Sequence, residues 1–240
     1  SIEHDLRLKY ANRRIVVNEK SLDIASLWLT HPARRQYERI IFSPQQDAPD
    51  CYNLWRGVAV EPKAGDCSLY LNHLRDNVAQ GDKLIYKYIL AFMADAVQNP
   101  GRLPGVALVM RGDEGTGKGT LATEFGKLFG QHFIQVSHSR HLIGNFNAHL
   151  KDALVVYADE AFWAGDKSSE GVLKAMITEE YRVIESKGKD AIMVANNLRT
   201  IVSSNHEWVV PAGPMARRFF MVDVGEERRQ DTKYFTAIKQ

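Results

Sequence analysis

Cysteine is scarce. Cys51 and Cys67 are the only two among 240 residues and form no CxxC pair, which excludes a disulfide-stapled scaffold and a zinc site of the usual spacing and favours a reducing compartment. No apolar run approaches the roughly 20 residues needed to span a bilayer. Neither sign of charge dominates: 31 Lys and Arg stand against 29 Asp and Glu, so any nucleic-acid contact must come from local basic clusters rather than bulk charge. The opening SIEHDLRLKY lacks the apolar core of a signal peptide, and a cytoplasmic location is expected. The chain starts on Ser1 rather than Met, as a fragment of a longer polypeptide or a proteolytically processed chain would.

What is present is an ordinary globular composition, 45% hydrophobic and 25% charged, long enough for one large domain or one domain with a smaller partner. Two helical stretches come first, roughly Ser21 to Tyr37 and Leu69 to Val97. The loop-rich SPQQDAPDCYNLWRGVAVEPKAGDCS lies between them, with room for one hairpin. In the second stretch Leu84, Ile85, Tyr88, Ile89, Phe92, Met93 and Ala96 recur at the spacing of a helix with one buried face, closed by Asn99-Pro100-Gly101. The rhythm then becomes α/β alternation. Val106 to Met110, Phe133 to Val136, Ala153 to Ala158, Ala191 to Ala195 and Phe219 to Val224 are the predicted strands. Strands separated by helical segments imply a parallel sheet of right-handed βαβ units.

Between the first of these strands and a helix carrying Leu121, Phe125, Leu128 and Phe129 stands GDEGTGKGT, Gly112 to Thr120. It fits GxxxxGK at Gly112, Gly117 and Lys118, a match that chance supplies to such a chain about 0.07 times before strand and helix are required. The residue types suit a phosphate. Gly112, Gly115 and Gly117 let backbone N–H groups of the loop, Asp113, Glu114 and Thr116 included, turn inward. The helix N-terminus adds partial positive charge, and Lys118 brings a full charge to the β and γ phosphates. Gly119 takes the place where such loops carry Ser or Thr, and Thr120, one position late, becomes the candidate hydroxyl for magnesium. The GKGT ending resembles that of adenylate kinase loops.

Leu154-Val155-Val156-Tyr157-Ala158-Asp159-Glu160 is an apolar run ending in two acids, the Walker B pattern. Asp159 can hold the hydrated magnesium and Glu160 can polarise the water that attacks the γ phosphate. Ala191 to Asn197, AIMVANN, is read as a buried strand ending in amides. Asn197, ahead of Asn196, is the candidate sensor of the γ phosphate, with a plain Asx turn as the alternative.

With these motifs in order, and VLKAMITEE, RVIESKGKDAIMVANN and PMARRFFMVDV following them, the chain resembles a superfamily 3 type AAA+ helicase domain of phage and plasmid primase-helicase proteins. HPARRQYERIIF and YNLWRGVAV extend the likeness upstream. The resemblance implies an α/β P-loop NTPase with a central parallel sheet over residues 101–240, preceded by a mainly helical accessory or collar region over residues 1–100. It implies ATP and Mg2+ as cofactors, a homo-oligomeric ring of hexameric form, single-stranded DNA in its pore, a covalently linked primase or polymerase domain, and a bacterial or phage-infected cytoplasm. It places Lys187 and Lys189 against the DNA backbone. It makes Arg218, ahead of Arg217, an arginine finger reaching a neighbour's γ phosphate.

Two rival readings stay open. The GKGT ending suits a nucleotide kinase, against which Glu160 tells, because a water-activating acid harms a kinase; a non-motor AAA+ loader would carry the same motifs. His132, His138, His141 and His149 crowd one stretch without metal-ligand spacing. Trp28, Trp55, Trp163 and Trp208 show no stacking rhythm, so a surface or packing role is the expectation for the histidines and core or loop anchoring for the tryptophans.

Overall fold

The computed structural model describes residues 2–17, 19–45, 48–138, 140–144, 147–160, 167–205 and 217–240. Trp163 and Trp208 lie outside the described residues, as does the PMA of PMARRFF. In chain order the elements are α1 (Ile2–Lys9), β1 (Arg14–Val17), β2 (Lys20–Asp23), α2 (Ile24–Thr30), β3 (Arg39–Ile41), β4 (Cys51–Asn53), α3 (Ser68–Asn72), α4 (Lys83–Gln98), β5 (Ala107–Arg111), α5 (Lys118–Lys127), β6 (Phe133–Val136), α6 (Arg140–Ile143), β7 (Val155–Asp159), α7 (Lys167–Thr178), β8 (Tyr181–Ile184), β9 (Ile192–Ala195), β10 (Arg199–Ser204), β11 (Phe219–Asp223) and α8 (Thr232–Ile238). Contacts divide the chain into residues 1–40 with 48–52, and residues 41–47 with 53–240.

The smaller unit holds the antiparallel ladder β1-β2 and α2. Asp23 caps α2 by accepting from the N–H groups of Ala25 and Ser26, which satisfies orphan donors of the first turn. The predicted helix over Ser21 to Tyr37 is therefore shortened at both ends. Its start is spent on β2, and its end comes at His31, before Pro32, where the pre-proline residue disfavours the helical region.

The larger unit is built on a five-stranded sheet in the order β11-β5-β10-β7-β6, every pairing parallel. Alternation along the strands splits its core. Leu108 and Met110 face one layer with Leu121, Phe125, Tyr157 and Ile201, joined by Leu74, Ile89 and Phe92. Ala107 and Val109 face the other, with Val156, Ala158 and Val202 against Leu173, Ile177 and Ile184. Each large apolar side chain fully buried this way contributes about 1.5–3 kcal/mol. In α4 the predicted face is buried at Ile89, Phe92 and Ala96, whereas Leu84 is 78% exposed. The helix predicted over Leu69 to Val97 is interrupted: α3 widens into a π-helical turn over His73–Val78, and Asp82 caps α4 afresh.

One strand assignment needs correction. Ile192–Ala195 is a strand, but it pairs antiparallel with Tyr181–Ile184 in a separate hairpin, and Met193 is 71% exposed. The central strand between β5 and β7 is β10, whose six residues are all buried. Polar side chains disguise it. Arg199 is fully buried because its guanidinium donates to the carbonyls of Asp95, Asn99 and Pro100 at the end of α4 and meets the Asp95 carboxylate at 3.2 Å. Burial pushes its pKa down, opposed by Asp95. No described helix is long and apolar enough to cross a membrane.

Candidate functional site

Parallel pairing puts the C-terminal ends of β5, β10 and β7 on one edge of the sheet, where ligands of open α/β sheets bind. Gly112 to Thr120 leaves β5 at that edge and opens α5, with Gly117 at its N-cap in the left-handed region at φ 95°. A Cβ on Gly117 would stand 2.5 Å from His73 Cε1 and 2.6 Å from Phe235 Cε1, so only glycine fits both the turn and the space.

The loop is braced from two sides. His73 Nε2 lies 3.1 Å from the Gly117 carbonyl, Asn77 Nδ2 donates to the Thr116 carbonyl at 2.7 Å, and the Tyr70 hydroxyl donates to the Leu121 carbonyl at 3.0 Å. Burial lowers the pKa of His73 and raises that of Tyr70, the nearby Glu124 adding to the latter. From the far end of the chain the Gln230 N–H donates to the Gly115 carbonyl at 2.9 Å, and Arg229 pairs with Asp113 at 2.5 Å.

Lys118 is buried, its Nζ donating to the carbonyls of Gly112 and Asp113 at 2.5 and 2.7 Å. Desolvation lowers its pKa, while Glu160, Asp159, Asp113 and Glu114 act to raise it. Asp159 is held by three donors. The hydroxyls of Tyr157 and Ser203 reach Oδ1 at 2.8 and 2.7 Å, and Gln135 Nε2 reaches Oδ2 at 3.1 Å. The two hydroxyls are themselves 2.8 Å apart, and burial pushes the Tyr157 phenol well above its ordinary range. Glu160 sits at φ 53°, a strained backbone of the kind that collects at functional sites. Its N–H donates to the Ser203 carbonyl at 3.0 Å.

Residues 114–120, Thr123, Ser137, His138, Tyr157, Asp159, Glu160, Phe235 and Lys239 line one cavity of about 810 Å³. The structure thus brings together Glu114 to Thr120, Asp159 and Glu160 around one space, with Gly112 and Asp113 directly behind Lys118.

The structure does not bring Asn197 there. Asn197 precedes β10, at whose start the Arg199 N–H donates to the Leu154 carbonyl, so it lies at the opposite edge of the sheet. Asn196 is buried there and donates to the carbonyls of Met176 and Glu179. At the C-terminal end of β10 the Ser204 carbonyl accepts from the Gly112 N–H, and Asn205, exposed, comes next. Asn205 thus follows the strand that ends at the loop's edge of the sheet, a strand that reads RTIVSS rather than as an apolar run. Arg217 is exposed and Arg218 half-buried at the start of β11, again opposite the loop. Lys187 and Lys189 are exposed at the tip between β8 and β9. His138, His141 and His149 form edge-on ring contacts, and His132 is a buried packing residue stacked on Trp55. Among the described residues no three His, Cys, Asp or Glu side chains group as a metal site.

Residues 110–218 match the model of a family described as a family of unknown function, DUF5906. The chain is also related to a phage replication protein: a DNA primase-polymerase of Nitratiruptor phage NrS-1 is 31% identical over 139 residues, 57% of this chain and 19% of that protein. Solved structures of the NrS-1 C-terminal region share the fold. The apo structure of residues 305–718 superposes with a TM-score of 0.74 at 21% identity, and an A form apo structure with 0.71 at 22%. Each covers 91% of this chain and 58% of the solved one. The chain therefore spans about a fifth of the curated relative's length.

Proposed function

We propose that this chain is the motor domain of a replication protein: a superfamily 3 type AAA+ P-loop ATPase that assembles as a ring, hydrolyses Mg-ATP between subunits and moves single-stranded DNA. The observation that carries this reading is the opening of GDEGTGKGT and the Asp159-Glu160 pair onto one cavity of about 810 Å³ at one sheet edge, roomy enough for a nucleotide. In it residues 101–240 are the ATPase core and residues 1–100 the accessory region, a primase or polymerase domain being linked in the full protein.

The loop N–H groups and the α5 N-terminus bind the phosphates, and Lys118 exchanges its two carbonyl partners for phosphate oxygens. An all-oxygen donor set built on Asp159, with Thr120 buried at the start of α5, suits magnesium, which keeps most of its waters and takes one or two protein oxygens. Bound there, Mg2+ supplies charge neutralisation on the phosphates. Glu160 orients the attacking water and accepts its proton as the water oxygen bonds to the γ phosphorus and the P–O bond to the β–γ bridging oxygen breaks, ADP leaving. Asn205 takes the γ-phosphate sensor role first assigned to Asn197. Arg217 and Arg218, remote from their own chain's loop, serve a neighbour's site, which is the argument for a ring. Lys187 and Lys189, at the tip of an exposed hairpin, contact the DNA backbone.

Phosphate release, measured with and without single-stranded DNA, tests the reading. Stimulation by DNA that is abolished in Lys118→Ala and Glu160→Gln is expected. Release only in the presence of a nucleotide acceptor would instead favour a kinase.

A further inference from the structure

The loop lacks the Ser or Thr that usually follows its lysine, and the structure offers a reason. Gly119 lies in the first turn of α5 without a positive φ, so its backbone tolerates a side chain. What stands beside it is Tyr157, since a Cβ on Gly119 would be 3.6 Å from the phenol oxygen. A serine hydroxyl built on that Cβ and turned toward the sheet would come up against the phenol oxygen, since only 3.6 Å separates that oxygen from the Cβ itself. Tyr157 is buried within the sheet and lines the cavity beside Asp159. It donates to Asp159 Oδ1 at 2.8 Å and lies 2.8 Å from Ser203 Oγ, which contacts the same oxygen.

We propose that Tyr157 is the positioning residue of the metal site: its hydroxyl, delivered from the sheet, fixes the Asp159 carboxylate and occupies the place of the hydroxyl missing at position 119. Gly119 and Tyr157 then form a coupled pair, one small because the other is present. The inference rests on the reading of Asp159 as the metal-binding carboxylate, and adds to it a residue that acts through the Asp159 carboxylate.

The test is a magnesium titration of binding of a fluorescent ATP analogue by the 240-residue chain, followed by fluorescence, with binding in EDTA as the reference. In Tyr157→Phe the magnesium midpoint is expected to rise about tenfold, the scale of one lost hydrogen bond to a charged group, with EDTA binding unchanged. The double variant Gly119→Ser with Tyr157→Phe, which returns a hydroxyl from the helix side into the vacated space, is expected to come back to within about threefold of wild type. A Tyr157→Phe titration identical to wild type, equal losses with and without magnesium, or a double variant no better than the single one would overturn the proposal. If Tyr157→Phe does not fold, Gly119→Ser alone is the substitute; crowding against the phenol is expected to move its midpoint at least about threefold, and an unmoved midpoint would overturn the pairing. A wild-type chain with no magnesium-dependent binding removes the site reading and this inference with it, whereas a normal wild type beside an unmoved variant removes the inference alone.

Discussion

Gly117→Ala is the perturbation whose magnitude follows most directly from the coordinates. Gly117 sits at φ 95°, and an added Cβ would meet His73 Cε1 at 2.5 Å and Phe235 Cε1 at 2.6 Å. The left-handed backbone costs a non-glycine residue about 1–2 kcal/mol. Forcing a methyl between two packed rings costs about 1–3 kcal/mol more. The two effects are separable, because Gly57 has a similar φ of 82° with no atom within 4 Å of its would-be Cβ. Gly57→Ala should therefore lose only the backbone share, while Gly117→Ala loses about 2–5 kcal/mol. For a chain of this length that corresponds to a Tm lower by roughly 4–20 °C. Urea unfolding of both variants with wild type is the assay, since the substitution changes the unfolded chain equally at the two positions and that contribution cancels. A Gly117→Ala loss within about 0.5 kcal/mol of the Gly57→Ala loss would refute the packing of His73 and Phe235 against the loop.

Three further outcomes are expected. Arg199→Ala should cost about 3–5 kcal/mol in urea unfolding, because it strips the carbonyls at the end of α4 of a buried partner; a loss under about 1 kcal/mol would contradict that role. Burial lowers the pKa of His73 from 6.5, so the folded state binds fewer protons than the unfolded one below that value. Stability carried by neutral His73 is therefore intact above pH 6.5 and declines as pH falls from there toward the folded pKa, and His73→Gln should flatten that slope. Asn205→Ala should lower ATP hydrolysis at least about tenfold with unchanged melting, whereas Asn197→Ala should leave turnover per folded molecule intact; the reverse pattern would return the sensor role to Asn197.

The legible parts of this molecule were those in which chemistry and hydrophobicity coincide. β5 and β7 are apolar runs followed at once by the polar residues that carry the site, so the loop and the acid pair could be read together. β10 could not be read, because Arg199, Thr200, Ser203 and Ser204 are polar and yet buried. Arg199 finds carbonyls in and just after the last turn of α4, and Ser203 finds Asp159. Those partners come from distant parts of the chain, invisible to local pattern. The more apolar AIMVANN drew the assignment instead, although an exposed hairpin carries it. The same blindness hid Tyr157, which looks like one more apolar position of its strand, and the bracing of the loop by His73, Asn77 and Gln230.

In the reading proposed above, the cavity between Gly112–Thr120 and Asp159-Glu160 holds a magnesium nucleotide. The most direct test is equilibrium binding of a fluorescent ATP analogue to the wild-type chain and to Lys118→Ala in the presence of Mg2+. Saturable binding by wild type, weakened at least about tenfold by the substitution while the melting temperature is retained, is the predicted result; equal binding by the two proteins, or none by wild type, would contradict the account.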